Sequence, residues 1–227
     1  MMESYPKAFI FDLDGVITDT SEYHYLAWKK LAAEIGIQID RDFNEQLKGI
    51  GRMESLKRIL ALDISKEQRT TEEIEELATR KNTHYQELIQ SINGSNILPG
   101  IEDLLIKVRE NNIKIALGSA SRNATFVLEQ LGLIQYFDYI VNASKVSKGK
   151  PDPETFTTAA DYFKLPYEAC VGIEDATSGV DALNKANMFS VGIGDKTYLA
   201  KADYIVSNTS HLDFTEIVKR YKQWKVE

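Results

Sequence analysis

A Rossmann-like, doubly wound parallel α/β sheet with a small all-helical cap is the fold this sequence predicts, on three observations. Short apolar runs rich in β-branched and aromatic residues alternate with helical patterns through the second half of the chain. One long segment, 19–91, contains helical patterns only. Acidic, hydroxyl and basic side chains fall at the ends of successive apolar runs. Alternation of this kind implies right-handed crossovers, with helices on both faces of the sheet.

In chain order, the first expected strand is residues 8–11, a continuous apolar run. The segment that follows reads as helices: Tyr23, Leu26, Ala27 and Leu31 up to Gly36, then Leu56, Ile59 and Leu60, then Ile74, Leu77 and Ala78. Asn93-Gly94-Ser95-Asn96 and Pro99-Gly100 mark the return to the sheet. The expected division is therefore an α/β catalytic core of residues 1–18 and 92–227, with a helical cap of residues 19–91 inserted after the first strand. Beyond the return, Leu104, Leu105 and Val108 share a helix face before a strand at 114–117. Phe126, Val127, Leu128 and Leu131 form a helix closed by Gly132, and a strand follows at 139–141. Pro153 introduces a helix carrying Phe156, Ala159, Ala160 and Phe163. Strands at 169–173 and 190–193 flank a helix with Val180, Leu183 and Ala186, and 204–206 is a sixth strand.

Composition bounds the function. At 227 residues, with 43% apolar and 27% charged residues, the chain is long enough for one sizeable core and a small accessory unit. Net charge is −7 and the pI about 5.2, which argues against holding nucleic acid through its phosphates. A local cluster of Lys and Arg would still draw a small anionic substrate. Cys170 is the single cysteine, so an internal disulfide and a thiolate metal cluster are excluded. It lies in an apolar run, where a buried structural thiol is expected. The N-terminal residues lack a signal-peptide core, and no stretch approaches the roughly 20 apolar residues of a membrane span. The expectation is a cytoplasmic, monomeric protein that acts on a small molecule, with no nucleic-acid or membrane partner.

The most informative stretch is Phe9-Ile10-Phe11-Asp12-Leu13-Asp14-Gly15-Val16. An apolar strand ends in two carboxylates two residues apart, so both leave toward the same side, and Gly15 lets the backbone turn. Ligands of parallel sheets bind beyond the carboxyl ends of the strands, where these acids emerge. The next strand leads into Gly118-Ser119-Ala120-Ser121, a turn opening a helix whose amides and hydroxyl suit a phosphate oxygen. Ser147-Lys148-Gly149-Lys150-Pro151-Asp152-Pro153 sets an ammonium beside a rigid turn, and the last buried strand ends in Glu174-Asp175. Singly these read as a helix cap, a solvated loop and an acidic turn. Together they bring carboxylates, a hydroxyl and a lysine to one edge of one sheet.

This ordered set resembles the haloacid dehalogenase superfamily of phosphotransferases, and within it the β-phosphoglucomutase family. The resemblance rests on Asp12-Leu13-Asp14-Gly15-Val16-Ile17-Thr18-Asp19-Thr20, Glu22-Tyr23-His24, Phe43-Asn44-Glu45-Gln46-Leu47-Lys48-Gly49, Ser119-Ala120-Ser121, Lys150 before Pro151, and Glu174-Asp175. It implies Asp12 as nucleophile through an aspartyl-phosphate, which suits a carboxylate that is anionic without activation. It implies Mg²⁺ held by Asp12, the Asp14 carbonyl, Glu174 and Asp175, and Ser119 and Lys150 on the transferring phosphoryl group. Asp14 would be the acid and base for the sugar oxygens. Arg52, Ser121, Arg122 and Asn123 would grip a distal phosphate, joined by Gly49 and Ile50 through backbone contacts, and Ala120 would also bind the substrate. His24 and Lys81 would couple sugar binding to Asp14. Arg122 stands where the family usually has Lys, and Gly51 where Ser is common before the cap arginine. Without the resemblance, a lone helical His reads as a solvated or satisfied side chain, and His84 and His211 keep that reading.

The activity so implied is interconversion of β-D-glucose 1-phosphate and glucose 6-phosphate through β-glucose 1,6-bisphosphate. The alternative is a capped phosphatase of the same superfamily, with water replacing the second hydroxyl. A non-catalytic phospho-acceptor or sugar-phosphate sensor ranks third, since a sensor has no need of Asp14.

Overall fold

The computed structural model describes residues 5–47, 50–63 and 69–226. Its core is the parallel sheet that the apolar runs predict: β1 (Ala8–Phe11), β2 (Lys114–Leu117), β3 (Tyr139–Ile140), β4 (Cys170–Glu174), β5 (Phe189–Ile193) and β6 (Tyr204–Val206). The order across the sheet is β3-β2-β1-β4-β5-β6, and every neighbouring pair is parallel. The winding reverses at β1, so the crevice between β2 and β4, above β1, is the topological switch point. The register levels the three strand ends there: Phe11 pairs with Leu117 on one side and Ile173 on the other.

Alternation along β1 divides the interior. Phe9 and Phe11 face an apolar layer with α5 (Ile101–Glu110), α6 (Ala124–Gln130) and α9 (Phe214–Trp224), while Ala8 and Ile10 face α7 (Glu154–Phe163) and α8 (Thr177–Lys185). Both faces are covered, as a parallel sheet requires.

Between β1 and α5 lie α1 (Ser21–Glu34), α2 (Arg41–Glu45), α3 (Arg52–Leu60) and α4 (Thr71–Ile89), with no named strand among the described residues. These helices close over an apolar cluster of their own, built on Trp28, Leu31, Leu56, Ile59, Leu77 and Ala78. A capping box starts α4: Thr70 accepts from the Glu73 amide, and the Glu73 carboxylate accepts from the Thr70 amide. The chain leaves and re-enters the sheet at adjacent points. Leu98 N donates to Ile17 O at 3.0 Å and Thr18 Oγ1 to Asn96 O at 2.8 Å.

Several expected details shift. Leu26 and Phe126 obey the helical period yet are exposed, because Tyr25 and Trp28 on α1 and Val127 and Leu128 on α6 take the buried positions instead. Helix α6 begins at Ala124, three residues beyond the expected turn, since Ser119 and Ser121 hold the intervening backbone with their side chains. The third strand stops at Ile140; it lies at the sheet's margin, where only β2 supplies a ladder. The fourth starts at Cys170 and runs through Glu174, which pairs with Gly192 of β5.

Candidate active site

Asp12 follows β1 directly, its amide donating to Ile173 O at 3.0 Å, so the β4 ladder fixes where its side chain begins. The buried Lys150 ammonium donates to Asp12 Oδ1 at 2.7 Å and to Glu174 Oε1 at 2.5 Å. Burial works against that charge, but the two carboxylates outweigh it and hold Lys150 above the ordinary lysine range. Glu174 is wholly buried, and its second oxygen accepts from the Asp175 and Ala176 amides at 2.9 and 3.0 Å. The Lys150–Pro151 peptide bond is cis.

Two glycines make room for these acids. Gly15 has φ +73°, and any side chain there would overlap the Asp175 carboxylate; a Cβ on Gly179 of α8 would overlap that of Glu174. Asp12, Glu174 and Asp175 each offer an oxygen, all within 4.8 Å of one another. Burial and then the neighbouring Glu174 and Asp12 charges push the Asp175 carboxyl well above its usual range. Crowded, hard oxygen donors with one lysine among them fit a divalent cation such as Mg²⁺.

The Asp14 carboxylate lies outside that trio. It accepts a hydrogen bond from the Thr20 hydroxyl, which in turn accepts one from Tyr85 OH at 3.1 Å. Burial, then the Asp12 charge, raises its pKa to about 7, so it holds or releases a proton near neutrality. Beside it, His24 Nε2 lies 3.8 Å from Asp14 Oδ2. Burial and then the Lys81 and Arg52 charges hold His24 well below its usual pKa, leaving it neutral. Lys81 Nζ sits 2.8 Å from His24 Nδ1; in its charged form Lys81 can only donate, which places the imidazole hydrogen on Nε2, toward Asp14. The Lys81 ammonium also lies 4.7 Å from the ring centres of both Trp28 and Tyr85. Burial, with Arg52 adding repulsion, lowers its pKa to about 7.

Asp12, Asp14, His24, Ile50, Arg52, Lys81, Ser119, Ala120, Ser121, Arg122, Asn123, Lys150 and Asp175 line one cavity of about 1050 Å³. Arg52 opens α3 and projects into it from the helical side; Ser121, Arg122 and Asn123 meet it from the turn after β2. Glu174 is not among the lining residues and lies behind Lys150. Gly49 lies outside the described residues. His84 and His211 are away from the cavity: His84 meets Glu34 at 3.4 Å and His211 meets Ser207 at 2.9 Å. Cys170 is buried, its thiol pushed up to about 12 by burial.

Sequence reading did not single out Tyr85, Asn82 or Gly179. Tyr85 is one helical turn beyond Lys81 on α4, a spacing that puts both on one face. Gly179 sits five residues after Glu174, in the helix start that faces the acid. Asn82 carried no comparable signal.

Comparison with known proteins agrees with this geometry. The model of haloacid dehalogenase-like hydrolases matches residues 6–187. The chain is similar to β-phosphoglucomutase of Bacillus subtilis, 46% identical over 97% of each chain. It is also similar to a phosphorylated carbohydrates phosphatase of Thermotoga maritima, 30% identical over 80% of this chain and 82% of that one. The crystal structure of β-phosphoglucomutase from Clostridium difficile superimposes with a TM-score of 0.95 at 52% identity, covering 97% of this chain and 99% of that one. With most of its length matched and acids clustered at the switch point of the sheet, the chain belongs to the haloacid dehalogenase-like hydrolase family.

Proposed function

We propose that the chain is a phosphoglucomutase that interconverts β-D-glucose 1-phosphate and glucose 6-phosphate. Supporting this are the two β-phosphoglucomutases it resembles along nearly its whole length. The observation that carries the reading is one cavity lined by two sets of anion-binding groups. Lys150 is joined to Asp12, with Ser119 also on the lining, and Arg52 is joined through Asn82 to Asn123, with Ser121 and Arg122 also on the lining, a double provision that suits a sugar bisphosphate.

In this mechanism Asp12 attacks the phosphorus of the bisphosphate intermediate, or of another phosphoryl donor, and the P–O bond to the sugar breaks. Asp14 gives its proton to the leaving sugar oxygen. In the reverse half-reaction Asp14 removes the proton of the other hydroxyl, which attacks the aspartyl-phosphate and restores free Asp12. Lys150 and the Ser119 hydroxyl hold the transferring oxygens, and Lys150 offsets the Asp12 charge as the anion approaches. Asp12, Glu174, Asp175 and the Asp14 carbonyl would hold Mg²⁺, which would supply further charge neutralisation. The neutral His24, backed by Lys81, offers its Nε2 hydrogen beside Asp14 and orients the sugar. Residues 19–91 act as the cap that excludes water between the halves.

The 30% identical phosphatase relative favours a second reading, hydrolysis of a sugar phosphate by the same machinery. One assay separates the two. Incubation with β-glucose 1-phosphate, Mg²⁺ and catalytic bisphosphate yields glucose 6-phosphate if the chain is a mutase. Stoichiometric free phosphate with no glucose 6-phosphate refutes it.

A further inference from the structure

Arg52, Asn82, Asn123 and Gln86 form a hydrogen-bonded chain that joins three helices. Arg52 Nη2 donates to Asn82 Oδ1 at 2.8 Å, Asn123 Nδ2 donates to the same oxygen at 2.9 Å, and Gln86 Nε2 donates to Asn123 Oδ1 at 3.1 Å. A guanidinium can only donate, so the Asn82 oxygen must be the acceptor; its second donor must then be the Asn123 amide nitrogen. One carbonyl oxygen on α4 thus fixes two groups from different parts of the chain: the first residue of α3 and the residue capping α6. Asn82 and both of its partners line the cavity.

Asn82 is neutral, and that matters for Arg52. Among the described residues Arg52 is paired with no carboxylate; burial and the nearby Arg122 charge lower its pKa from the usual arginine value without displacing it from the charged form. A carboxylate in place of Asn82 would hold the guanidinium equally well but would cancel its field. An amide fixes the direction and leaves the charge for an incoming anion. We infer that Asn82 is a positioning residue for the distal phosphate of the substrate, converging Arg52 and Asn123 on it while keeping the cation uncompensated. This rests on the reading of that end of the cavity as the distal-phosphate site.

The test compares Asn82→Ala with Asn82→Asp. The aspartate is nearly isosteric and keeps the acceptor oxygens, so a merely structural tie between helices would survive it. The measurements are kcat and KM for β-glucose 1-phosphate and for the bisphosphate, and the rate at which acetyl phosphate, which has no second phosphate, labels Asp12. Asn82→Ala should raise both KM values about tenfold, with kcat changing far less, as expected for a lost hydrogen bond to a charged group. Asn82→Asp should raise them further, about a hundredfold, through the added charge at Arg52. Labelling by acetyl phosphate should fall by much less than the bisphosphate reaction in both variants. Aspartate milder than alanine, or acetyl phosphate labelling lost in step with the bisphosphate reaction, overturns the proposal. If the wild-type chain makes no glucose 6-phosphate, the mutase reading fails instead. The ratio of Asp12 labelling by sugar bisphosphate to that by acetyl phosphate then still decides the role of Asn82.

Discussion

The cavity is charged differently where it meets the sheet and where it meets α4. At the sheet edge Lys150 touches Asp12 and Glu174 together, and Asp175 completes a crowded acidic set. Under α4 the cations lean on neutral groups: Lys81 on His24, Trp28 and Tyr85, and Arg52 on Asn82. The first arrangement is rich in anion and calls for a metal before a phosphate approaches. In the second, among the described residues, no ion pair holds Arg52 or Lys81, although the Asp14 charge acts on Lys81, and the net field draws an anion from solution. In the proposed mutase, reaction and recognition thus occupy one space through opposite electrostatic choices.

The largest expected effect breaks the acidic half. Asp12→Ala should lower turnover by about 10⁴-fold or more while the melting temperature stays within a few degrees, and phosphoryl label should vanish from the corresponding peptide. Asp14→Asn, which keeps the acceptor for Thr20 but cannot exchange a proton, should cost about 10²–10⁴-fold in kcat and leave Asp12 labelling by acetyl phosphate far less affected. On the cationic half, Arg52→Lys keeps the charge but loses the planar fork, so KM for the bisphosphate should rise about tenfold with a smaller change in kcat.

The smallest effect sharpens the contrast through stability. Folding lowers the Lys81 pKa from 10.5 to about 7, so between those values the unfolded chain binds more protons and stability rises with pH. Below pH 7 the side chain is charged in both states and the full cost of burying it is present. Lys81→Met should therefore stabilise the fold by about 1–2 kcal/mol at pH 6, with the advantage fading toward pH 10. Thermal melts of both proteins across that range check the sign.

Much of the acidic half was legible because strand ends advertise it. Asp12, Ser119 and Glu174 each follow or close an apolar run, and the parallel register brings those ends level. The cationic half was legible only in its charged members. Asn82 and Tyr85 act through partners 41 and 65 positions away, Asn123 and Thr20, and no local pattern encodes such meetings. The period that places Leu31 inward also placed Leu26, and only the packing of Tyr25 and Trp28 decides against it. Likewise the turn after β2 looked like a helix start, whereas its own hydroxyls delay the helix to Ala124.

The paired crossing at Ile17–Thr18 and Asn96–Leu98 has an evolutionary consequence. An insertion whose two ends meet side by side is a graft: the sheet's own threading does not depend on what is spliced there, provided the junction closes. Replacing the graft with another of similar span would change which molecules reach Asp12 and leave its neighbours at the strand tips untouched, so new substrates could be acquired without rebuilding the chemistry.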